Sequence, residues 1–588
     1  MAREIDPITL QVIGGALHAI AEQMGNVLYR MSYSSIIRES QDLGAGLFDT
    51  QFNTPCESNS TPMHIGSLPG YLRGIAETVS LDDWQPGDCV IHNHPYKGAS
   101  HSPDIAIVMP VFIDGELVGF STNTAHHVDI AAATPGLIID VPDVWVEGML
   151  LDGIKLYDKG QRIEPLWKYI RDNTRVADLV MGDLEAQIAS AQLGVRRFEE
   201  LLQVHGKDIV FQATSQLMDY TERMMRKEIA KIPDGEYFAE GFLDDDGRNR
   251  DITLPVKVCV RVEGDGVEVD LTGSSDQVPT AFNVPFDGST KLAAFFAFRA
   301  LLLDTYTSTE YVPQNEGSFR PIKITAPLGC IFNPVAPAAA EARFCQIQRM
   351  VDVIIKALAP VLPDKCTAGN AATLSFAAFS GVRDNGDYWV FLEVNEAAMG
   401  GRPLSDGPDT VEELMRNARN NPLEDLGMHL PLICDRYEVR DDVVPGAGKF
   451  LGGQGVVKSQ RYMTPGFMTH ELDRHLDAPW GGGGGKPGAV GKIEIYNIDT
   501  PDVRQEYAKF SGLRTEKGDV VSYFSPSGGG YGNPLERDPE KVLDDVLDGL
   551  ITVDHAMDDY GVVLKAVDDG YGWQIDAAAT ASARKILP

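Results

Sequence analysis

No cysteine pair in this chain has the spacing of a redox or thiolate-metal motif. The seven cysteines, Cys56, Cys89, Cys259, Cys330, Cys345, Cys366 and Cys434, are odd in number and lack CxxC. That argues against a disulfide framework and a thiolate zinc site, and most read as small core residues. Long apolar runs are missing as well. Nothing approaches the roughly 20 residues needed to span a bilayer, and the opening MAREIDPITLQVIGG has no basic segment followed by an apolar one. Positive charge is scarce: Lys and Arg number 51 against 85 Asp and Glu, a net charge of −34. Such a charge repels phosphate backbones and anionic lipid, so neither nucleic acid nor a membrane is expected as partner, and the expected location is cytoplasmic. No G-x-S-x-G elbow occurs and no cysteine stands near a clear histidine partner, so nucleophilic serine or cysteine chemistry has no support. No repeat of fixed period is visible.

What is present is a 588-residue chain, 43% hydrophobic and 23% charged, long enough for two or three domains around a large core. Glycine occurs 58 times and concentrates late, in GAGKFLGGQG, GGGGGKPG and SPSGGGYGNP. Without a Cβ, such segments pack closely as extended or polyproline-II strands. The apolar residues among them (Phe450, Val456, Val457, Tyr523, Phe524, Tyr531) favour a packed bundle over a flexible linker.

Asp6-Pro7 predicts a helix start, with Ile8, Val12, Ile13, Leu17, Ile20, Met24, Val27 and Leu28 following at helical spacing. LGAGLFD, GDCVIHN, IAIVMPVFI and ELVGFSTNT then read as short strands. Two long amphipathic helices follow between Leu179 and Ile232, broken at His205-Gly206. A second strand block covers Gly235 to Ser275, with helices near Thr290–Asp304 and Ala338–Ala359. The remainder to Asn533 reads as irregular and strand-poor, and the tail as two short surface helices. The class is α+β: an N-terminal strand-rich metal-binding region (1–178), central helices (179–233), a second β-rich region running into a glycine-rich bundle of polyproline-II-like segments (234–535), and a helical tail (536–588).

The most informative stretch is GASHSPDIAIVMPVFIDGELVGFSTNTAHHVDI. His101 and Asp104 flank Ser102-Pro103, and Asp114-Gly115 is a two-residue hairpin turn between strands 105–113 and 116–123. Pairing Ile113 with Glu116 and counting outward sets Asp104 opposite Ala125, with His126 and His127 arriving beside it. Side chains alternate, so one of the two histidines should face Asp104. Imidazole and carboxylate together suit zinc, with manganese or iron as alternatives. A fourth ligand must come from elsewhere, and Asp42, at the start of an early strand, is the candidate. Spacing alone leaves a second reading open, in which these histidines cap strand ends.

His101, Asp104, Pro110-Val111-Phe112, Gly115-Glu116-Leu117 and Ala125-His126-His127 resemble the signature of the hydantoinase B/oxoprolinase family. Acetone carboxylase α subunits carry a similar His-x-x-Asp, strand pair and His. The likeness runs along nearly the whole chain, through DPITLQVI, RESQDLGAGLFD, the stretch from Ser60 to Pro69, VDLTGSS, AFNVP, GGGGGKPG, SPSGGGYGNPLERDPEKVLDDVLDG and DDYGVV. The resemblance implies that Asp42, His101, Asp104 and His126 are metal ligands and that His127 and Asp129 orient them. It implies ATP-dependent opening of a cyclic amide, with ATP bound by a hydantoinase A-like ATPase partner in an α2β2 assembly. Two other functions stay open: ATP-dependent carboxylation of a ketone of the acetone or acetophenone type, and a metal-stabilised scaffold for the ATPase. Ser40-Gln41 depart from the family pattern, a difference expected to bear on substrate choice.

Three motifs are set aside. In GGGGGKPG, Pro487 follows Lys486 where a phosphate loop needs Ser or Thr. In HELDRH, His475 lies five residues after His470, off the face a zincin helix requires. His64, in STPMHIGSLPG, reads as either a satisfied loop residue or a lining of the metal cleft.

Overall fold

The computed structural model describes residues 5–586 apart from 65, 304–311, 413 and 568–571. The chain is α+β, built on four main sheets. Among the described residues no helix is long and apolar enough to cross a membrane.

The first helix, Pro7–Met31, starts where Asp6 accepts the Thr9 N–H at 3.0 Å. It buries Ile13, Leu17, Ile20, Met24 and Leu28. The antiparallel sheet beneath contains β1 (Leu43–Phe48), β2 (Cys56–Glu57), β3 (Cys89–His92), β4 (Asp104–Ile113), β5 (Glu116–His126), β6 (Ile154–Asp158) and β7 (Gln161–Arg162). Their order is β2-β1-β5-β4-β3-β6-β7. Helices Pro7–Met31 and Ala177–His205 cover one face, packing Leu17 and Phe198 over Ala45, Leu47 and Val111. Helix Leu68–Ala76 covers the other, with Tyr71 and Ile75 over Val90, Ala106, Val108 and Phe120. Buried on both faces, β1 has no polar stripe, which is why it reads as a continuous apolar run. The helix break falls at Gly206, whose φ of 84° suits a residue without Cβ.

The second sheet runs Ile322–Thr325, Gly266–Asp270, Leu254–Glu263, Gly235–Leu243. Helix Phe344–Leu358 packs on it, setting Ile347 and Val351 in one apolar cluster with Val256 and Val258. The expected helix from Ala338 begins six residues later. Residues 338–343 stay out of the helix because their backbone groups bond elsewhere: Ala342 N–H to Ala281 O at 3.0 Å, Glu341 N–H to Glu147 at 2.7 Å.

The stretch expected to be strand-poor holds two sheets. One orders Tyr388–Asn395, Ser375–Val382, Gly466–Glu471, Lys509–Thr515. The other orders Leu432–Val439, Val456–Tyr462, Asp519–Phe524, Lys492–Asn497, Thr500–Glu506. HELDRH begins at the end of a strand rather than on a helix. His470 there meets Ser375 Oγ at 3.2 Å and Ala508 O at 3.4 Å.

Between the sheets the glycine segments pack backbone against backbone. Gly529 N–H donates to Gly369 O at 2.9 Å, Gly401 N–H to Gly529 O at 2.8 Å, and Gly482 N–H to Gly530 O at 2.9 Å. Gly530 N–H donates in turn to Lys486 O at 2.9 Å, so GGGGGKPG is built into this bundle.

Candidate functional site

Asp104 is the first residue of β4, and its ladder partner is His126, the last of β5. Counting from the turn places it opposite Ala125 instead. The register moves by one because Val118 bulges out between the Val111–Gly119 and Phe112–Leu117 pairs. On the far side of β5, Leu43 pairs with Ala125, and His126 N–H donates to Asp42 O at 3.2 Å. Asp42, His126 and Asp104 thus form a row across three neighbouring strand ends. The turn before β4 brings His101 onto it.

His101, Asp104 and His126 offer donor atoms within 4.8 Å of one another, and each is at most 1% exposed. His126 Nδ1–H donates to Asp104 Oδ1 at 3.2 Å. His101 Nδ1–H donates to Glu341 O at 2.8 Å. His101 Nε2 then lies 3.0 Å from Asp104 Oδ1 without hydrogen-bond alignment. Burial lowers the His101 pKa to about 4, so its ring is neutral at pH 7 and Nε2 carries a lone pair. A lone pair facing a carboxylate oxygen is repulsive unless a cation lies between them. The Nε2 atoms of His101 and His126 and Nδ1 of His64 are buried without hydrogen-bond partners among the described residues. Ligands about 2.0–2.1 Å from a tetrahedral zinc sit roughly 3.3 Å apart, close to the 3.0 Å between His101 Nε2 and Asp104 Oδ1. The donor set and spacing therefore fit a divalent cation.

Asp42 stands slightly apart. It is 4% exposed, and its Oδ1 accepts His64 Nε2–H at 2.8 Å. His64 is wedged between two carboxylates, with Nδ1 3.8 Å from Asp104 Oδ2. Burial alone would lower the His64 pKa, but the Asp104 and Asp42 charges outweigh it and raise it. Burial would raise Asp42, and its His64 bond brings it below the usual range. For Asp104 too burial opposes ionisation, and the surrounding imidazoles overcome it, holding the carboxyl well below the ordinary value. Gly44 makes room for His64: a Cβ there would sit 2.6 Å from the His64 Cβ.

The other named residues point away. His127 Nε2–H donates to Gln187 Oε1 at 2.8 Å, toward helix Ala177–His205. Asp129 receives Arg175 Nη1 at 2.8 Å. Neither touches the cluster's side chains in these bonds. Residues the sequence did not flag complete the site. Arg343, 1% exposed, donates from Nη2 to Asp104 Oδ2 at 2.9 Å, and Ser100 Oγ donates to the same oxygen. Phe344 stands edge-on to His101 at 5.1 Å, and Phe376 lies 5.5 Å from His126. Arg343 and Glu341 meet the site across 239 and 240 residues of chain, so no local motif announces them. The signal for His64 lay in the Ser60–Pro69 stretch.

Four-sheet architecture and a buried histidine–carboxylate row at three strand ends define the class of chain. Its sequence matches the Hydantoinase B/oxoprolinase family over residues 6–534. The chain belongs to that family. It is 44% identical over 596 residues to a putative D-/L-hydantoinase subunit of Pseudomonas sp. (strain NS671), covering 99% of each chain. Its fold is similar to the ATP-dependent caprolactamase of Pseudomonas jessenii, with TM-score 0.89, 26% identity and coverage of 99% and 100% of the two chains. An acetone carboxylase in its nucleotide-free structure shares the fold at TM-score 0.88 and 18% identity, over 99% of this chain and 83% of that one.

Proposed function

We propose that this chain is the metal-containing subunit of an ATP-dependent hydrolase of cyclic amides such as hydantoins, 5-oxoproline or lactams, working in the cytoplasm with an ATPase subunit in an α2β2 assembly. The observation that carries the reading is the buried trio His101, Asp104 and His126, with the unpartnered His101 Nε2 facing an Asp104 carboxylate oxygen 3.0 Å away. The names of the similar hydantoinase subunit and of the ATP-dependent caprolactamase support the substrate class, the partner and the use of ATP.

In this reading His101, Asp104 and His126 hold the cation, zinc first and manganese or iron as alternatives. Asp42, whose Oδ1 is bonded to His64, would be the fourth ligand. A divalent cation supplies Lewis acidity toward a carbonyl and a lowered pKa for water. Arg343 and Ser100 occupy Asp104 Oδ2 and leave Oδ1 to the imidazole side. Phe344 and Phe376 wall the imidazoles with apolar surface and keep bulk water off them. The ATPase partner delivers the substrate activated by phosphorylation.

The shared fold with acetone carboxylase sustains a second reading, carboxylation of a ketone at the same residues. ADP release from the intact complex separates the two. Hydantoin, 5-oxoproline or caprolactam should support it, and acetone or acetophenone with bicarbonate should not. His101→Ala, with the complex intact, should lower turnover on the order of a thousandfold and empty the site of metal. Wild-type turnover in that variant would leave only the scaffold role.

A further inference from the structure

Glu147 has no part in the cluster, yet it holds both ends of the one hydrogen bond that sets the His101 tautomer. It is fully buried. Its Oε2 accepts Ser102 Oγ–H at 2.8 Å, and Ser102 follows His101 in the chain. Its Oε1 accepts Glu341 N–H at 2.7 Å and also Ala340 N–H. Glu341 supplies the carbonyl that His101 Nδ1–H reaches at 2.8 Å.

Neighbouring bonds fix the segment that carries that carbonyl. Ala342 N–H donates to Ala281 O at 3.0 Å, and a peptide's N–H and C=O point in opposite directions, so this bond turns the Glu341 carbonyl toward His101. Asn283 Nδ2 holds Ala339 O at 2.8 Å. On the Glu147 side, Asn93 Nδ2 donates to Ser102 O at 2.7 Å and to Met149 O at 2.9 Å, tying the two segments that flank the carboxyl group. Glu147 is the single side chain among these that bonds both the 102 segment and the 340–341 segment.

We propose that Glu147 is a positioning residue for the metal centre: it clamps Ser102 and the 340–341 backbone so that His101 keeps its proton on Nδ1 and presents Nε2 to the cation. This rests on the metal reading above. The consequence is specific. A neutral histidine free to exchange tautomers spends part of its time with Nε2 protonated, and that form cannot bind a cation through Nε2. A residue that only glued the fold would change stability and leave the tautomer and the metal affinity alone.

The test uses the full chain with its partner subunit, stripped of metal and titrated with Zn2+ against a chelating indicator. Glu147→Ala should weaken Zn2+ binding about 10–100-fold. Glu147→Gln should stay within about threefold of wild type, because its amide oxygen can still accept both backbone N–H groups and the Ser102 hydroxyl can rotate to accept its NH2. Ser102→Ala, which breaks one leg of the clamp, should fall between. Histidine-selective 15N NMR of the metal-free chain should show His101 as the Nδ1–H form in wild type and as a tautomer mixture in Glu147→Ala. If Glu147→Ala fails to fold, Glu147→Asp and Ser102→Ala carry the test, and wild-type affinity in both would overturn the proposal. Wild-type affinity and an unmixed tautomer in a folded Glu147→Ala, while His101→Ala loses Zn2+, would overturn it and spare the metal reading. Wild-type Zn2+ affinity in His101→Ala would bring down both.

Discussion

The strand ends that carry the site and the glycine bundle solve opposite packing problems. At the strand ends, order comes from side chains: His126, Asp104, Arg343 and His64 interlock through directional bonds, and the backbone ladder only sets their row. In the bundle, order comes mainly from main chain. A Cβ on Gly529 would sit 2.0 Å from Trp480 O, one on Gly530 2.1 Å from Ala447 O, and one on Gly446 2.3 Å from Gly530 N. The first region tolerates a new side chain if the bonds survive. At these glycines the second tolerates none, because a carbonyl in a hydrogen-bonded bundle cannot rotate out of the way as a side chain can.

The largest effect should therefore come from the smallest substitution. Gly529→Ala adds one methyl group against the Trp480 carbonyl and strains the bonds to Gly369 and Gly401. It should cost about 3 kcal/mol or more, read as a lowered urea midpoint or as loss of soluble protein. An unchanged midpoint would mean that the bundle is loosely packed and that its glycines serve flexibility after all.

Legibility in the sequence divides along the same line. The hairpin was readable because Asp114-Gly115 is local turn chemistry, and the row of Asp104 and a histidine followed by counting. Its register came out one residue off because the bulge at Val118 leaves no composition signal. The bundle was readable because aromatic residues punctuate the glycines. The strands beside it were not: Ser375–Phe379 is buried on both faces, so the alternation that marks a strand is erased. Arg343, Glu341 and Glu147 were invisible for another reason. They act from an irregular strap and a turn, through contacts that only the tertiary fold creates.

A pH series sharpens the side-chain half of the comparison. Glu57, on β2, is 2% exposed and accepts Gly66 N–H at 2.9 Å. Burial pushes its pKa from 4.5 to about 7. The folded chain then keeps a proton that the unfolded chain gives up near pH 4.5, so this group's contribution is fully present below that pH. It is lost as pH rises through about 7. Glu57→Gln removes the ionisable group and can keep the Gly66 bond. Denaturant midpoints of variant and wild type should nearly coincide at about pH 4, and the variant should be more stable at about pH 8 by on the order of 3 kcal/mol. A constant difference across that range would show that Glu57 is ionised in both states.

The smallest effect tests whether glycine matters by identity or by place. Gly427 lies exposed in helix Leu423–His429, and a Cβ there would meet nothing within 4 Å. Its backbone is helical, where alanine loses less conformational entropy on folding. Gly427→Ala should therefore raise stability by about 0.5–1 kcal/mol, the opposite sign to Gly529→Ala, for the same added methyl group. The methyl meets open space on a helix at Gly427 and a carbonyl in the bundle at Gly529. A loss at Gly427 comparable to that at Gly529 would remove the argument from contact and leave chain entropy unable to account for either result.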